Sequence, residues 1–148
     1  MFAEFDSSNF PIVKVVMNGE PENDEDFQNF LNEWTKLYDE QNDFSFVFDT
    51  KNVRNPPLKY SIKMSQFIKN LRKKEYQYLQ KSIILINSNK VKWMLDFIFL
   101  IQPPVAPVYI YNINNDINNK DIDIDIDSII NHPETSYVEP NKSFLPLF

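Results

Sequence analysis

Ser82-Ile83-Ile84-Leu85-Ile86-Asn87 decides how the chain folds. It is a short apolar run without polar alternation, the mark of a strand buried on both faces of a helix-covered sheet. Upstream lies Phe44-Ser45-Phe46-Val47-Phe48-Asp49. Its three phenylalanines alternate and share one face, with Val47 on the other, so both sides of this strand are covered too. Between the two strands, Asn55-Pro56-Pro57 pairs a cap residue with a proline at the first helical position. Tyr60, Met64, Phe67, Ile68 and Leu71 follow at helical spacing, and Arg72-Lys73-Lys74 suits the negative end of the helix dipole.

Further upstream, Asn23 or Asp24 caps a second helix, and Asp24, Glu25 and Asp26 favour its positive end. Phe27, Phe30, Leu31, Trp34, Leu37 and Tyr38 line one face; Gln28, Asn29, Glu33 and Lys36 take the other. The run from Phe10 to Met17 reads as a strand closed by the turn Asn18-Gly19, where the only glycine serves a positive φ. Downstream, Ser88 or Asn89 caps a helix from Lys90 to Ile101, which Pro103 and Pro104 stop. Val108-Tyr109-Ile110-Tyr111 is the last clear strand.

The succession is β-α-β-α-β-α-β. It predicts an α/β fold with a small, mostly parallel sheet and right-handed crossovers over residues 1–112. Residues 113–148 form a low-complexity acidic tail. Within it, Asp125 to Asn131 predicts a short closing helix with Ile126, Ile129 and Ile130 turned inward. Past His132-Pro133 the chain is polar, with no element expected until the apolar end Ser143-Phe144-Leu145-Pro146-Leu147-Phe148.

From Phe10 to Asn112 the pattern resembles the SpoIIAA-like fold shared by STAS domains and CRAL-TRIO lipid-binding domains, in particular divergent CRAL-TRIO adaptors. The resemblance rests on the acidic helix, the strand Phe44–Asp49 and the proline-led helix after it. It rests also on Glu75–Lys81 leading into Ile83-Ile84-Leu85-Ile86-Asn87, and on Lys92-Trp93-Met94-Leu95 leading to Pro103-Pro104. It implies a non-catalytic adaptor or a lipid-binding domain. The STAS phospho-acceptor does not carry over, because Lys51 to Leu58 holds no Ser or Thr. Full CRAL-TRIO lipid-transfer proteins carry an N-terminal helical region and a gated cavity; the short stretch before Phe10 does not hold such a region, so a full phospholipid cavity is not expected.

Composition removes whole classes of chemistry. The 148 residues contain no cysteine, one histidine and one glycine. Thiol nucleophiles, zinc knuckles and phosphate-cradling glycine loops are excluded. His132, in a polar segment, reads as a solvated residue rather than a general base. Asp121, Asp123, Asp125 and Asp127 alternate and could gather a hard cation, the basis of a weaker reading as a metal-dependent hydrolase. Without a glycine turn or a distal bidentate Glu, a solvated linker is the better reading. No catalytic residue, cofactor or metal is assigned. Thirteen lysines, two arginines, 18 asparagines and 16 isoleucines point to an AT-rich genome, as in protists or large DNA viruses. An N-terminus with Glu4 and Asp6 and no long apolar run predict a soluble cytoplasmic chain.

Charge is segregated. Residues 1–50 carry a net −10, residues 51–100 a net +9, and residues 101–148 a net −5. Lys69, Arg72, Lys73, Lys74, Lys90 and Lys92 fall in the basic third and mark a patch for an acidic protein or an anionic membrane surface. The alternative is neutralisation inside the molecule by the acidic helix and tail. Few arginines and an acidic chain argue against nucleic acid. The helix around Trp93 and Phe97 is apolar on every side, so something beyond the sheet must cover it: the chain's end, with Phe144 and Phe148, a second copy, a protein partner or a lipid.

Overall fold

A computed structural model of the chain describes residues 2–115 and 125–140. The elements in order are β1 (Ala3–Asn9), β2 (Ile12–Met17), α1 (Asp24–Asp39), β3 (Phe44–Asp49), α2 (Leu58–Leu71), β4 (Leu79–Ile86), α3 (Asn89–Ile101), β5 (Val108–Asn112), a 3₁₀ turn (Ile113–Asn115), α4 (Ile126–Ile130) and β6 (Ser136–Val138). They build one six-stranded sheet in the order β1-β2-β3-β4-β5-β6. The pairs β2–β3, β3–β4 and β4–β5 are parallel; the outer strands β1 and β6 run antiparallel to their neighbours. The fold is therefore α/β with a mixed sheet, parallel through its middle.

Strands that follow one another in one direction with right-handed crossovers put every crossover helix on the same face. The packing agrees. Val13 and Val15 of β2, Phe44, Phe46 and Phe48 of β3, Ile84 and Ile86 of β4 and Ile110 of β5 share one core with α1, α2 and α3. The opposite face buries Val47, Ile83, Leu85 and Tyr111, and α4 supplies Ile129 as their cover. The alternation expected of Phe44–Asp49 thus holds on both faces.

Local chemistry sets the helix starts. Asn23 caps α1, its Oδ1 accepting from the Asp26 N–H at 2.9 Å. The expected cap at Asn55 is not made: α2 begins two residues later, with Pro57 at the cap and no side-chain bond to the first turn. The physical reason is Pro57 itself, which disfavours helical geometry in the residue before it, Pro56. Ser88 caps α3 through its Oγ, which accepts from the Lys90 N–H. The expected short helix forms as α4, capped by Asp125, whose carboxylate takes the N–H groups of Asp127 and Ser128. Gly19 has φ +108°, the left-handed region expected for the turn after β2.

Two strands escaped the sequence reading. Residues 3–9 precede the first expected strand, yet β1 pairs with β2 through the turn at Phe10-Pro11, placing Ala3 and Phe5 in the core. Residues 136–138 follow Pro133, where no element was expected, yet β6 pairs with β5. Both are edge strands; the alternation of β1 is confined to Ala3–Asp6 before a polar stretch, and β6 is only three residues long, so neither stands out as a strand. β4 also starts earlier than Ser82, because Leu79 is already paired with Phe44.

Candidate functional site

Sequential strand order removes the usual ligand crevice of open α/β sheets, which forms where the order reverses. The carboxyl ends of β2, β3 and β4 instead feed three loops that are tied together. Glu20, after β2, reaches the loop after β3: its Oε1 accepts from the N–H groups of Arg54 and Asn55 at 2.5 and 2.6 Å. Burial pushes this carboxyl up, but the bonds from Asn55 and Arg54 outweigh it and hold it below its ordinary range. Lys90, at the start of α3, donates from Nζ to Asn55 Oδ1 at 2.6 Å and joins the third element to the cluster.

Below these loops, between the sheet and the three helices, lies an apolar cavity of about 140 Å³. Phe30 and Trp34 of α1, Met64 of α2, Leu95 of α3 and Phe48 and Ile84 of the sheet are among the residues that form it. Well-packed interiors hold few voids larger than a water. A dry apolar cavity of about 150 Å³ takes benzene or xenon. The space therefore fits an aryl ring or a short alkyl chain and is well below the roughly 300 Å³ of a drug-sized pocket.

Outside it, a groove of about 440 Å³ runs between the first turns of α2 and α3. Pro56 and Met94 line both the groove and the cavity, so the two adjoin. Leu58 and Trp93 give the groove its apolar wall; Asn55, Asn89, Ser61 and Lys90 are its polar members. Ser61 is 1% exposed and its Oγ has no hydrogen-bond partner. The buried Trp34 Nε1–H also lacks an acceptor in good geometry, with the Tyr38 hydroxyl the polar group beside it.

The basic residues do not form one patch. Lys69, Arg72, Lys73 and Lys74 sit at the end of α2 and in the turn after it; Lys90 and Lys92 sit at the start of α3. Both helices run back along the parallel sheet, so these groups lie at opposite ends of the helical layer, separated by about 20 Å of helix. Part of the charge is neutralised internally. Lys59 and Lys63 pair with Asp24 of α1 at 3.0 and 3.7 Å, and Lys92 pairs with Asp96 at 2.6 Å. Lys74 lies 5.7 Å from the Tyr38 ring centroid.

Trp93 and Phe97 are brought together, stacked at 5.6 Å. α3 buries Val91, Leu95 and Ile98 but leaves Trp93, Leu100 and Ile101 60, 67 and 53% exposed. The expectation that this helix is covered on more than one side is not met among the described residues. Phe144 and Phe148, its expected cover, lie outside them.

His132 corrects the picture of a solvated residue. It is half-buried, its ring 5.0 Å from Tyr111, and its Nδ1 accepts the Glu134 N–H. The aspartate run does not alternate along a strand where it is described. Asp125 is a helix cap and Asp127 lies inside α4, while Asp121 and Asp123 fall outside the described residues. Among the described residues no group of three or more acidic, His or Cys side chains is placed to hold a metal ion. No helix among them is long and apolar enough to cross a membrane.

Sequence reasoning singled out Lys90 and Trp93 but missed Ser61, Asn55 and the cavity. The one available signal was the pair of lysines, Lys59 and Lys90, at helix starts where an acid is favoured. No protein-family model, no curated protein and no solved structure matches the chain.

Proposed function

We propose that the protein is a non-catalytic binding module for a small apolar or amphipathic molecule. The carrying observation is the apolar cavity between the sheet and the three helices, beneath loops that Glu20 and Lys90 tie together. The absence of cysteine and the local engagement of His132 support a binding role over catalysis. The β-α succession supports the STAS or CRAL-TRIO resemblance as a proposal of kinship, with a ligand far smaller than a phospholipid.

Thermal unfolding of the full chain with and without saturating benzene tests the reading. Ligands that bind only the folded state raise its stability by mass action. A rise in melting temperature with benzene, together with shifts at the methyl groups of Leu95 and Ile84, is the expected result. No rise and no shifts would overturn it.

A second reading is favoured by the exposed Trp93, Leu100 and Ile101: an adaptor that meets a protein partner or a second copy through α3. An anionic membrane surface is the other candidate for this face. Native mass spectrometry of protein purified from cells separates them. A stable dimer or a protein partner supports the adaptor, and a co-purifying lipid supports the membrane.

A further inference from the structure

We infer that the groove between the first turns of α2 and α3 binds the anionic head of an amphipathic ligand, a carboxylate whose short alkyl or aryl body enters the adjoining cavity. This rests on the binding reading above and names the ligand class. The helix starts differ in their charge. α1 follows the rule for a positive helix end, with Asp24, Glu25 and Asp26 in its first turn. α2 and α3 have no acidic residue there and carry Lys59 and Lys90 instead. α2 also has no side-chain cap, so its first N–H groups have no side-chain acceptor. Two positive helix ends beside one another are a ready place for an anion.

A helix end alone would not make a site; Ser61 is the independent observation. It lines the groove, is almost wholly buried, and its Oγ has no partner. Leaving a buried hydroxyl unpaired is unfavourable, and an acceptor from a ligand would satisfy it. Lys90 supplies the charge. Its Nζ touches the neutral Asn55 amide, and among the described residues no acid lines the groove to neutralise the ammonium. The nearby acid, Glu20, is committed to the N–H groups of Arg54 and Asn55. Lys92 is already paired with Asp96.

The size follows from the cavity. Pro56 and Met94 border both spaces, so a chain anchored by its head between Lys90 and Ser61 passes them into the interior. A body of about six carbons, similar to benzene in bulk, fills a cavity of this volume.

The test is calorimetric titration of the full chain with octanoate, n-octanol and octylamine, which share one body and differ in charge, and with benzene, which has no head. Octanoate should bind about tenfold or more tightly than octanol, with octylamine weakest, since hydrogen bonds to charged groups are the stronger kind. In Lys90→Gln the preference for octanoate over octanol should fall to about twofold or less. Ser61→Ala should weaken octanoate several-fold. Equal affinity for octanoate and octylamine, or an unchanged preference in Lys90→Gln, would overturn the assignment of the head. If benzene and octanol bind without any head preference, this inference falls and the cavity reading stands. If octanoate binds through Lys90 while benzene does not bind, the head site stands and the cavity reading falls. Binding by none of the four overturns both.

Discussion

α1 and α3 lie in the same layer against the same sheet face, yet they use their side chains differently. α1 buries Phe27, Phe30, Leu31, Trp34, Leu37 and Tyr38 and turns Gln28, Asn29 and Glu33 to solvent. α3 buries only Val91, Leu95 and Ile98, although most of its residues are apolar. A single helical layer can bury only one side of each helix. The apolar stripe of α1 is matched to that limit; the surplus on α3 is not covered by any of the described residues. The comparison separates a helix whose apolar residues are buried in the core from one whose apolar residues stay largely exposed among the described residues.

The sharpest way to break this contrast is to truncate one tryptophan from each helix. Trp34 packs edge-on against Phe46 at 4.8 Å and Phe67 at 5.3 Å. Trp34→Ala should cost about 3–5 kcal/mol in urea unfolding. A loss below about 1 kcal/mol would mean that α1 is not anchored as described. Trp93→Ala should change stability by less than about 1 kcal/mol, as surface substitutions do. It should also lower apolar-dye binding or self-association. A large stability loss there would erase the distinction between the two helices.

Tyr38 gives the next effect. Burial pushes its hydroxyl up to about 12, despite the lowering contacts from the Leu79 backbone and Trp34. The unfolded chain, with tyrosine ionising near 10, releases this proton first. Stability is therefore complete below about pH 10 and falls as pH rises through about 12. The contribution is at most roughly 2 kcal/mol after allowance for screening. Urea unfolding of Tyr38→Phe and the parent at pH 8, 10 and 11 should show a shallower alkaline loss in the variant. Parallel curves would mean that Tyr38 titrates like an exposed tyrosine.

The smallest effect concerns the contact between α1 and α2. The Lys59 hydrogen bond and charge, with Lys63 beyond it, hold the Asp24 carboxyl below its ordinary range. All three groups are well exposed. Asp24→Asn should lower stability only slightly, and the difference should vanish at high salt. A loss that persists in 1 M salt would show that the pair is more than a surface contact.

Much of the fold can be read directly. The period of the Phe27–Tyr38 stripe, the alternation of Phe44, Phe46 and Phe48 and the unbroken run at Ile83–Ile86 each report burial, and burial leaves a period in the sequence. β1 leaves only the short alternation Ala3-Glu4-Phe5-Asp6 and β6 only three residues, too little period to stand out, because an edge strand owes much of its place to backbone pairing with β2 or β5. The candidate site was legible only in fragments. Lys90 and Trp93 stood out by type, while Ser61 looked like any helical serine, since a missing partner is a property of its surroundings.

By itself the sequence determined the α/β class, the order of the helices and parallel strands, the inward stripe of α1 and the exclusion of thiol and phosphate-loop chemistry. Those follow from local spacing and from which residue types are present at all. Tertiary structure alone decided that the basic residues separate to opposite ends of the helical layer and that α3 keeps a face open among the described residues. It alone placed Asn55, Ser61 and Lys90 around one groove above an apolar cavity. Those depend on the direction in which each helix runs back along the sheet and on packing between segments distant in the chain, and neither is written in the spacing of neighbouring residues.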